Sequence, residues 1–397
     1  MATLCTTKFQ KPKEKRPGNK PYEFNKPCSK KQCTKVHKDP LEERKEYDKN
    51  FSWGTINNSS NEYFLPRIFF NNNGFYNSDD STLNLYLYFS KEFPRNKFLT
   101  KLSNTCHIRH FPYFWQLCRK DTFYKNVGNQ SFVPLSYTVN SFSYLDKLDE
   151  NKLYICKLCN SGNGNNIFVG NPSKIKDLIN TKNKYIVSDY IKPLLINKRK
   201  FDMRIHVVVA SYSPLVVYIH EFGYVRFASE DYDEKSDNLY CHLTGNRFNY
   251  KNNGGNKDNI TLQKLWNILG DKSTDIKEKI NNVCKKTIFS VQNVNIEGMK
   301  KVANSINDKN NYYSNWENIN NNCFELFGFD IMLDENFNIF VLEVNDNPDL
   351  SSQYTPFTEV FNVEHLAKYN ILNDIFGNNG LLECKTYPER IRHLYKI

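Results

Sequence analysis

The sequence predicts an α+β protein, and three observations carry that expectation. Short β-rich runs recur along the chain, among them LNLYLYF at 83–89, KLYICKLC at 152–159, KYIVSDYI at 184–191, MRIHVVVAS at 203–211 and FGFDIML at 327–333. They do not alternate with helices at the spacing a βαβ repeat needs. Helical apolar spacing gathers instead in the Asn/Lys-rich stretch 251–322 and in VEHLAKYNILNDIFG at 363–377.

The chain has 397 residues, 39% of them hydrophobic and 24% charged, enough for two or three domains with cores of their own. Its 25 Tyr and 29 Phe offset the many Asn and Lys. No apolar signal segment follows MATLCTTKFQKPKEK, and no run is long and apolar enough to span a bilayer. The expectation is a cytoplasmic protein with no membrane contact. Eleven scattered cysteines show no repeating framework, which favours reduced thiols.

In chain order, residues 1–50 lack apolar periodicity and read as a disordered basic arm. They hold 14 Lys+Arg against 7 Asp+Glu, most of the whole-chain excess of +11. Such an arm suits an acidic partner or simply stays solvated. Within it, CSKKQCTKVH offers Cys28, Cys33 and His37. A closed zinc site needs four ligands, and only the distant Cys5 could complete one, so an unstructured arm is the preferred reading.

QSFVPLSYTV at 130–139 leads into KLYICKLC. The polar NSGNGNN then separates it from IFVG, a hairpin signal. Lys157 sits inside the first of these strands and needs an anionic partner. Cys156 and Cys159 flank it as a CxxC with no second pair nearby, and read as small strand residues. LVVYIHEFGYVRFA at 215–228 is a further β-rich run, and KNNGGNKDN at 251–259 looks like a loop insertion.

The densest chemistry lies in FGFDIMLDENFNIFVLEVN, two apolar strands around a DENFN turn. Each strand carries one acid, Asp330 and Glu343, and an antiparallel hairpin brings the two close together. Two such carboxylates repel unless one is protonated or a cation lies between them. Asn345 shares a face with Glu343 because strand side chains alternate. Three oxygen donors on one face suit a hard cation such as Mg²⁺ shared with phosphates; the competing reading is a pair of edge-strand acids facing water. Lys200, Asp202 and Arg204 alternate along NKRKFDMRIHVVV and offer a clamp for phosphate or carboxylate, with Arg226 a further strand cation.

Together IRHFPYFWQLCRKDTFYKN, FVPLSYTV, LLINKRKFDMRIHVVVASYSPLVVYIHEFGYVRFASEDY, CHLTGN and FELFGFDIMLDENFNIFVLEVNDNP resemble the tubulin–tyrosine-ligase-like family, from about Asn104 to Gly377. The resemblance implies an ATP-grasp fold with N-terminal, central and C-terminal lobes, and ATP between the central and C-terminal lobes. The implied boundaries are an arm at 1–50, an N-terminal lobe at 51–118 and a central lobe at 119–189. A C-terminal lobe at 190–385 carries the insertion near 251–322, and 386–397 is a basic tail.

By position, the resemblance implies nucleotide contacts from Lys120, Lys157, Lys200, Asp202, His242 and Thr244, with Ser188, Asp189, Tyr190 and Ile191 at the adenine hinge. It implies Arg204 and Arg226 as the arginines serving phosphates and the reacting carboxylate, and Asp330, Glu343 and Asn345 as Mg²⁺ ligands. The chain departs from the family pattern at Ser188 and Asp189, where Gln and a basic residue are usual, at Leu158, at Asn166 in place of a glycine, and at Gly245.

The implied activity is an ATP-dependent carboxylate–amine ligase that adds an amino acid to the acidic C-terminal tails of tubulin through an acyl phosphate. Glutamate is the favoured amino acid, with tyrosine and glycine as alternatives. The partners are tubulin or microtubules, in a cytoplasmic and cytoskeletal setting that includes axoneme or basal body. With only the basic ERIRHLYKI near the end, the N-terminal arm is the expected microtubule contact. Two other classes compete: a microtubule-binding pseudoenzyme, motivated by the departures, and a nucleic-acid binder built on the arm.

Overall fold

The computed structural model describes residues 64–73, 85–161, 165–253, 258–348, 350, 363–384 and 386–397. All fall within the unit Asp48–Ile397. The arm, with Cys28, Cys33 and His37, lies outside the described residues, as do 162–164 of the glycine-containing loop and 254–257 of the KNNGGNKDN stretch.

In chain order the strands begin with β1 (Leu87–Tyr88), β2 (His107–Arg109), β3 (Ser136–Val139), β4 (Tyr154–Leu158) and β5 (Ile167–Gly170). They continue with β6 (Tyr185–Asp189), β7 (Leu195–Ile196), β8 (Arg199–Tyr212), β9 (Leu215–His220) and β10 (Tyr224–Phe227). β11 (Ile260–Thr261), β12 (Cys323–Leu333), β13 (Ile339–Asn345), β14 (Arg390–Ile391) and β15 (Leu394–Lys396) follow. The mixed α and β content agrees with the expected class.

Two sheets result. The smaller, ordered β3-β6-β4-β5, is antiparallel throughout, and the expected hairpin around NSGNGNN is its β4–β5 pair. The larger runs β1-β2-β12-β8-β9-β15-β14, with β13 on β12, β7 and β10 on β8, and β11 on β10. β8 and β12 lie at its centre, antiparallel, and every residue of β12 is buried.

The large sheet has two cores because its central strands alternate. Val207, Val209, Phe327, Phe329 and Ile331 face one side, where they meet Leu265, Ile276, Ile280, Met299 and Ile319 from helices Leu262–Leu269, Ser273–Phe289, Gln292–Asn304 and Trp316–Asn322. Val208, Ala210, Phe324 and Leu326 face the other, under Phe69 and Phe70 of helix Phe64–Asn72 and Ile371, Leu372 and Ile375 of helix Val363–Phe376. Each such apolar side chain contributes about 1.5–3 kcal/mol by leaving water. The Asn/Lys-rich stretch therefore supplies one wall of the core. Thr261 starts helix Leu262–Leu269 by accepting a hydrogen bond from the Lys264 N–H.

Two features depart from a straight reading of the runs. The stretch LVVYIHEFGYVRFA divides at Glu221–Gly223: β9 pairs with the end of β8, and β10 with its beginning. A Cβ on Gly223 would lie 2.4 Å from the Arg204 carbonyl oxygen, so only glycine lets the chain pass there. The basic C-terminal stretch is also ordered, as the hairpin β14–β15 laid against β9. The eight cysteines described, Cys156 and Cys159 among them, are free thiols.

Candidate active site

The DENFN hairpin forms as expected. β12 and β13 pair antiparallel with Asp330 opposite Glu343 and Gly328 opposite Asn345. Asp330 is buried and does not face water. Its partners are arginines: Arg204 Nε donates to Oδ1 at 2.7 Å and Nη2 to Oδ2 at 3.3 Å, while Arg226 Nη2 lies 3.0 Å from Oδ2. Arg226 also forks onto Asp202, with Nε and Nη2 each at 2.7 Å, and Thr244 Oγ1 donates to Asp202 Oδ2 at 2.5 Å.

The register explains the network. Asp202, Arg204, Arg226 and Asp330 alternate on one face of β8, β10 and β12, where Arg226 pairs with Asp202 across β10–β8 and Asp330 with Arg204 across β12–β8. Gly328 makes room, since a Cβ there would come within 3.2 Å of Arg204 Cδ. Burial opposes the charge on each arginine, but the facing carboxylates override it and hold both guanidiniums protonated above their ordinary range. Burial would likewise raise Asp330, yet Arg204 and then Arg226 hold its carboxyl below the usual range.

Beside this closed network lies an open one. Lys120 opens the helix Lys120–Val127, Lys157 lies on β4, and Glu343 on β13; all three line one cleft with Leu117, Cys118, Phe123, Tyr124 and Leu342. Lys120 Nζ bonds the Ser161 carbonyl in the β4–β5 connection. Burial lowers its pKa, Glu343 opposes that shift and Lys157 reinforces it. Lys200, buried at the start of β8, falls to about 8 through burial and then the Lys157 charge, against Asp202. Among the described residues no hydrogen bond or ion pair engages the Glu343 carboxylate.

A polar relay extends from Lys200. Its Nζ lies 3.2 Å from the Tyr190 hydroxyl, which is 2.8 Å from His242 Nδ1. His242 Nε2 lies 2.9 Å from the Ser236 carbonyl, so the ring carries its proton on Nε2 and accepts at Nδ1 from Tyr190. Burial holds His242 below its ordinary range. Tyr232 stacks over Tyr190 with centroids 6.5 Å apart.

Ser188 and Asp189 end β6, ahead of Tyr190 and the half-buried Ile191. The Ser188 hydroxyl accepts from Ser136 at 2.7 Å and donates to Tyr124 at 3.3 Å. Asp189 is half-buried, and burial raises its carboxyl above the usual range.

The oxygen donors suit a hard cation. Asn345 Nδ2 donates to the Gly328 carbonyl at 3.4 Å, which leaves its Oδ1 for a ligand beside the uncommitted Glu343 carboxylate. Asp330 stands opposite Glu343 in register. An all-oxygen set of two carboxylates and one amide matches Mg²⁺ or Ca²⁺ chemistry and not zinc's.

A family model described as "Tubulin-tyrosine ligase family" matches residues 99–363. The chain belongs to the tubulin-tyrosine ligase family. Its relatives include a protein named "Probable alpha-tubulin polyglutamylase Ttll1" from Tetrahymena thermophila, 29% identical over 63% of this chain and 68% of the relative. Two mouse relatives are "Tubulin polyglutamylase TTLL5", 28% identical over 72% of this chain, and "Tubulin monoglutamylase TTLL4", 33% identical over 62%. The match spans only 22% of each of those longer proteins.

Seen as a family member, the chain keeps the turn that enters β5 by other means. Asn166 has φ of 54°, in the left-handed region where the family pattern has glycine; Asn enters that region more readily than other residues with a Cβ. Leu117, Phe123, Tyr124, Gly328 and Tyr232 also belong to the site. They are not legible in the sequence as site residues, because nothing in FYKN or EDY separates a cleft aromatic from a core one.

Proposed function

We propose that the chain is an ATP-dependent ligase that adds glutamate to acidic tubulin tails, with the nucleotide between the small sheet and the large one, as central and C-terminal ATP-grasp lobes. One observation supports this most. Lys120, Lys157 and Lys200, from three separate elements, gather positive charge around Lys157 that is offset by Glu343 and by an Asp202 that Arg226 already engages, and a triphosphate is the anion that balances such an excess. The names of the relatives support tubulin as acceptor and glutamate as donor.

The three lysines would hold the phosphates, and the backbone from Ser188 to Ile191, with Tyr190, would border the base. Asp330, Glu343 and Asn345 would hold Mg²⁺, which when bound neutralises charge on the transferring phosphate. A tail carboxylate oxygen attacks the γ-phosphorus, and the bond to ADP breaks. The amine of free glutamate then attacks the acyl carbon, and phosphate leaves. Arg204 and Arg226 each keep Nη1 outside their carboxylate bonds, a donor for the acyl phosphate and the tetrahedral oxyanion. His242 and Thr244 fix Tyr190 and Asp202.

This reading carries a cytoskeletal setting, with axoneme or basal body as its finer form, and gives the basic arm the role of microtubule contact. Among the described residues no helix is long and apolar enough to cross a membrane.

The test is mass spectrometry of tubulin tails after incubation with the protein, ATP, Mg²⁺ and a mixture of glutamate, glycine and tyrosine, beside Glu343→Gln. A glutamate-sized increment absent from the control is the expected result. A tyrosine or glycine increment would reassign the donor. No increment without ATP-induced thermal stabilisation would point to a pseudoenzyme.

A further inference from the structure

Outside the active site, three side chains from three elements meet. His220 ends β9, Asp374 lies in helix Val363–Phe376, and His393 sits in the turn between β14 and β15. His220 and Asp374 are buried, while the His393 side chain is 39% exposed. His220 Nε2 lies 3.2 Å from Asp374 Oδ2, and His393 Nδ1 lies 3.1 Å from the same oxygen, which also accepts from the His393 backbone N–H at 3.1 Å. One ligand atom from each of the three residues lies within 4.8 Å of the other two.

The environment of His220 decides what this cluster is for. Its Nδ1 is 2.8 Å from the Phe222 carbonyl oxygen. A carbonyl can only accept, so Nδ1 carries a proton. In a neutral ring the lone pair on Nε2 then faces a carboxylate oxygen, acceptor against acceptor. A cation between them removes that conflict, and a backbone carbonyl on the far nitrogen is how metal-bound histidines are oriented. Asp374 Oδ1 is buried without a hydrogen bond; Arg392 Nη1 stands 3.9 Å from it.

We propose that His220, Asp374 and His393 bind one Zn²⁺, with solvent reaching the fourth position past His393. Ligand atoms on a tetrahedral zinc with bonds of about 2.0–2.1 Å lie roughly 3.3 Å apart, close to the 3.2 and 3.1 Å between Asp374 Oδ2 and the two histidine nitrogens. Two imidazoles and one carboxylate are a borderline set that suits zinc and not Mg²⁺, so the site is chemically distinct from the Asp330–Glu343–Asn345 set. Bound there, the ion ties the C-terminal hairpin and helix Val363–Phe376 to β9.

The experiment uses the full chain carrying Cys5→Ser, Cys28→Ser and Cys33→Ser, so that arm thiols contribute nothing. After chelation and dialysis, zinc is titrated by calorimetry in excess Mg²⁺, bound metal is counted, and Co²⁺ is used as an optical probe of tetrahedral coordination. The expected result is one equivalent per chain, a zinc-dependent rise in melting temperature, and loss of both in His393→Ala. His393 is partly exposed in a turn, and circular dichroism checks that this variant folds. Absence of binding would overturn the proposal and leave a hydrogen-bonded His220–Asp374–His393 staple. Retention of the equivalent in His393→Ala would overturn it as well, by placing the ion elsewhere.

Discussion

Two charged regions lie side by side and differ in balance. In the network of β8, β10 and β12, two arginines face two aspartates, and each guanidinium is matched to a carboxylate. In the adjoining region three lysines face Glu343 and an Asp202 that Arg226 already engages, and two of the lysines are pushed below their ordinary pKa range. A balanced buried network holds its side chains in place in the free protein. An unbalanced one keeps charge to spare for an anion. Burial alone therefore does not mark where phosphates are held; uncompensated charge does.

The comparison breaks most sharply at Arg226. Arg226→Ala leaves Asp202 and Asp330 short of a buried partner, and chemical denaturation should show a loss of about 3–5 kcal/mol. Lys157→Ala should instead leave stability unchanged or slightly raised, because it removes repulsion toward Lys120 and Lys200, while ATP-induced thermal stabilisation disappears. Equal destabilisation by both variants would erase the distinction drawn between the regions.

Next in size is Glu343→Gln. Ligation measured on tubulin tails should fall by about a hundredfold or more, with a melting temperature close to that of the parent. A large fall in melting temperature would move Glu343 into the balanced class.

Lys200 sharpens the comparison through pH. Its folded pKa, near 8, lies below the ordinary 10.5. Between those values the unfolded chain binds more protons, so stability without nucleotide should rise as pH climbs through that window. Nucleotide binding should run the other way, since phosphate needs the protonated amine: affinity should weaken above about pH 8, approaching tenfold per pH unit. Calorimetry across pH 7 to 9.5 checks this, and Lys200→Arg should flatten the binding profile.

The smallest effect is expected at Ser188, whose hydroxyl is already engaged by Ser136 and Tyr124. Ser188→Ala should cost about 1 kcal/mol of stability and leave ATP affinity nearly unchanged, leaving only the Ser188 backbone as a candidate nucleotide contact.

Much of this was legible in the chain. Period-two patterning in KFDMRIHVVV and FELFGFDIML foretold strands whose acids and bases share a face, and DENFN foretold the hairpin that sets Asp330 opposite Glu343. What stayed hidden was which charges pair. Nothing local to Arg226 says that it reaches both Asp202 and Asp330, because that depends on β10 and β12 flanking β8. The same holds for the break at Gly223, which reads as one continuous run until the Arg204 carbonyl is found beside it.

By itself the sequence determined the class of fold, the strands and their faces, and the residue types from which a phosphate and metal site can be made. These follow from short-range periodicity and turn chemistry, which are properties of neighbours in the chain. The tertiary structure alone decided that Arg204 and Arg226 are bound to carboxylates while Lys120, Lys157 and Lys200 are left in excess, and that His220, Asp374 and His393 meet. Coulomb interaction and desolvation depend on distance and burial in space, and residues more than a hundred positions apart come within 3 Å only when the sheet assembles.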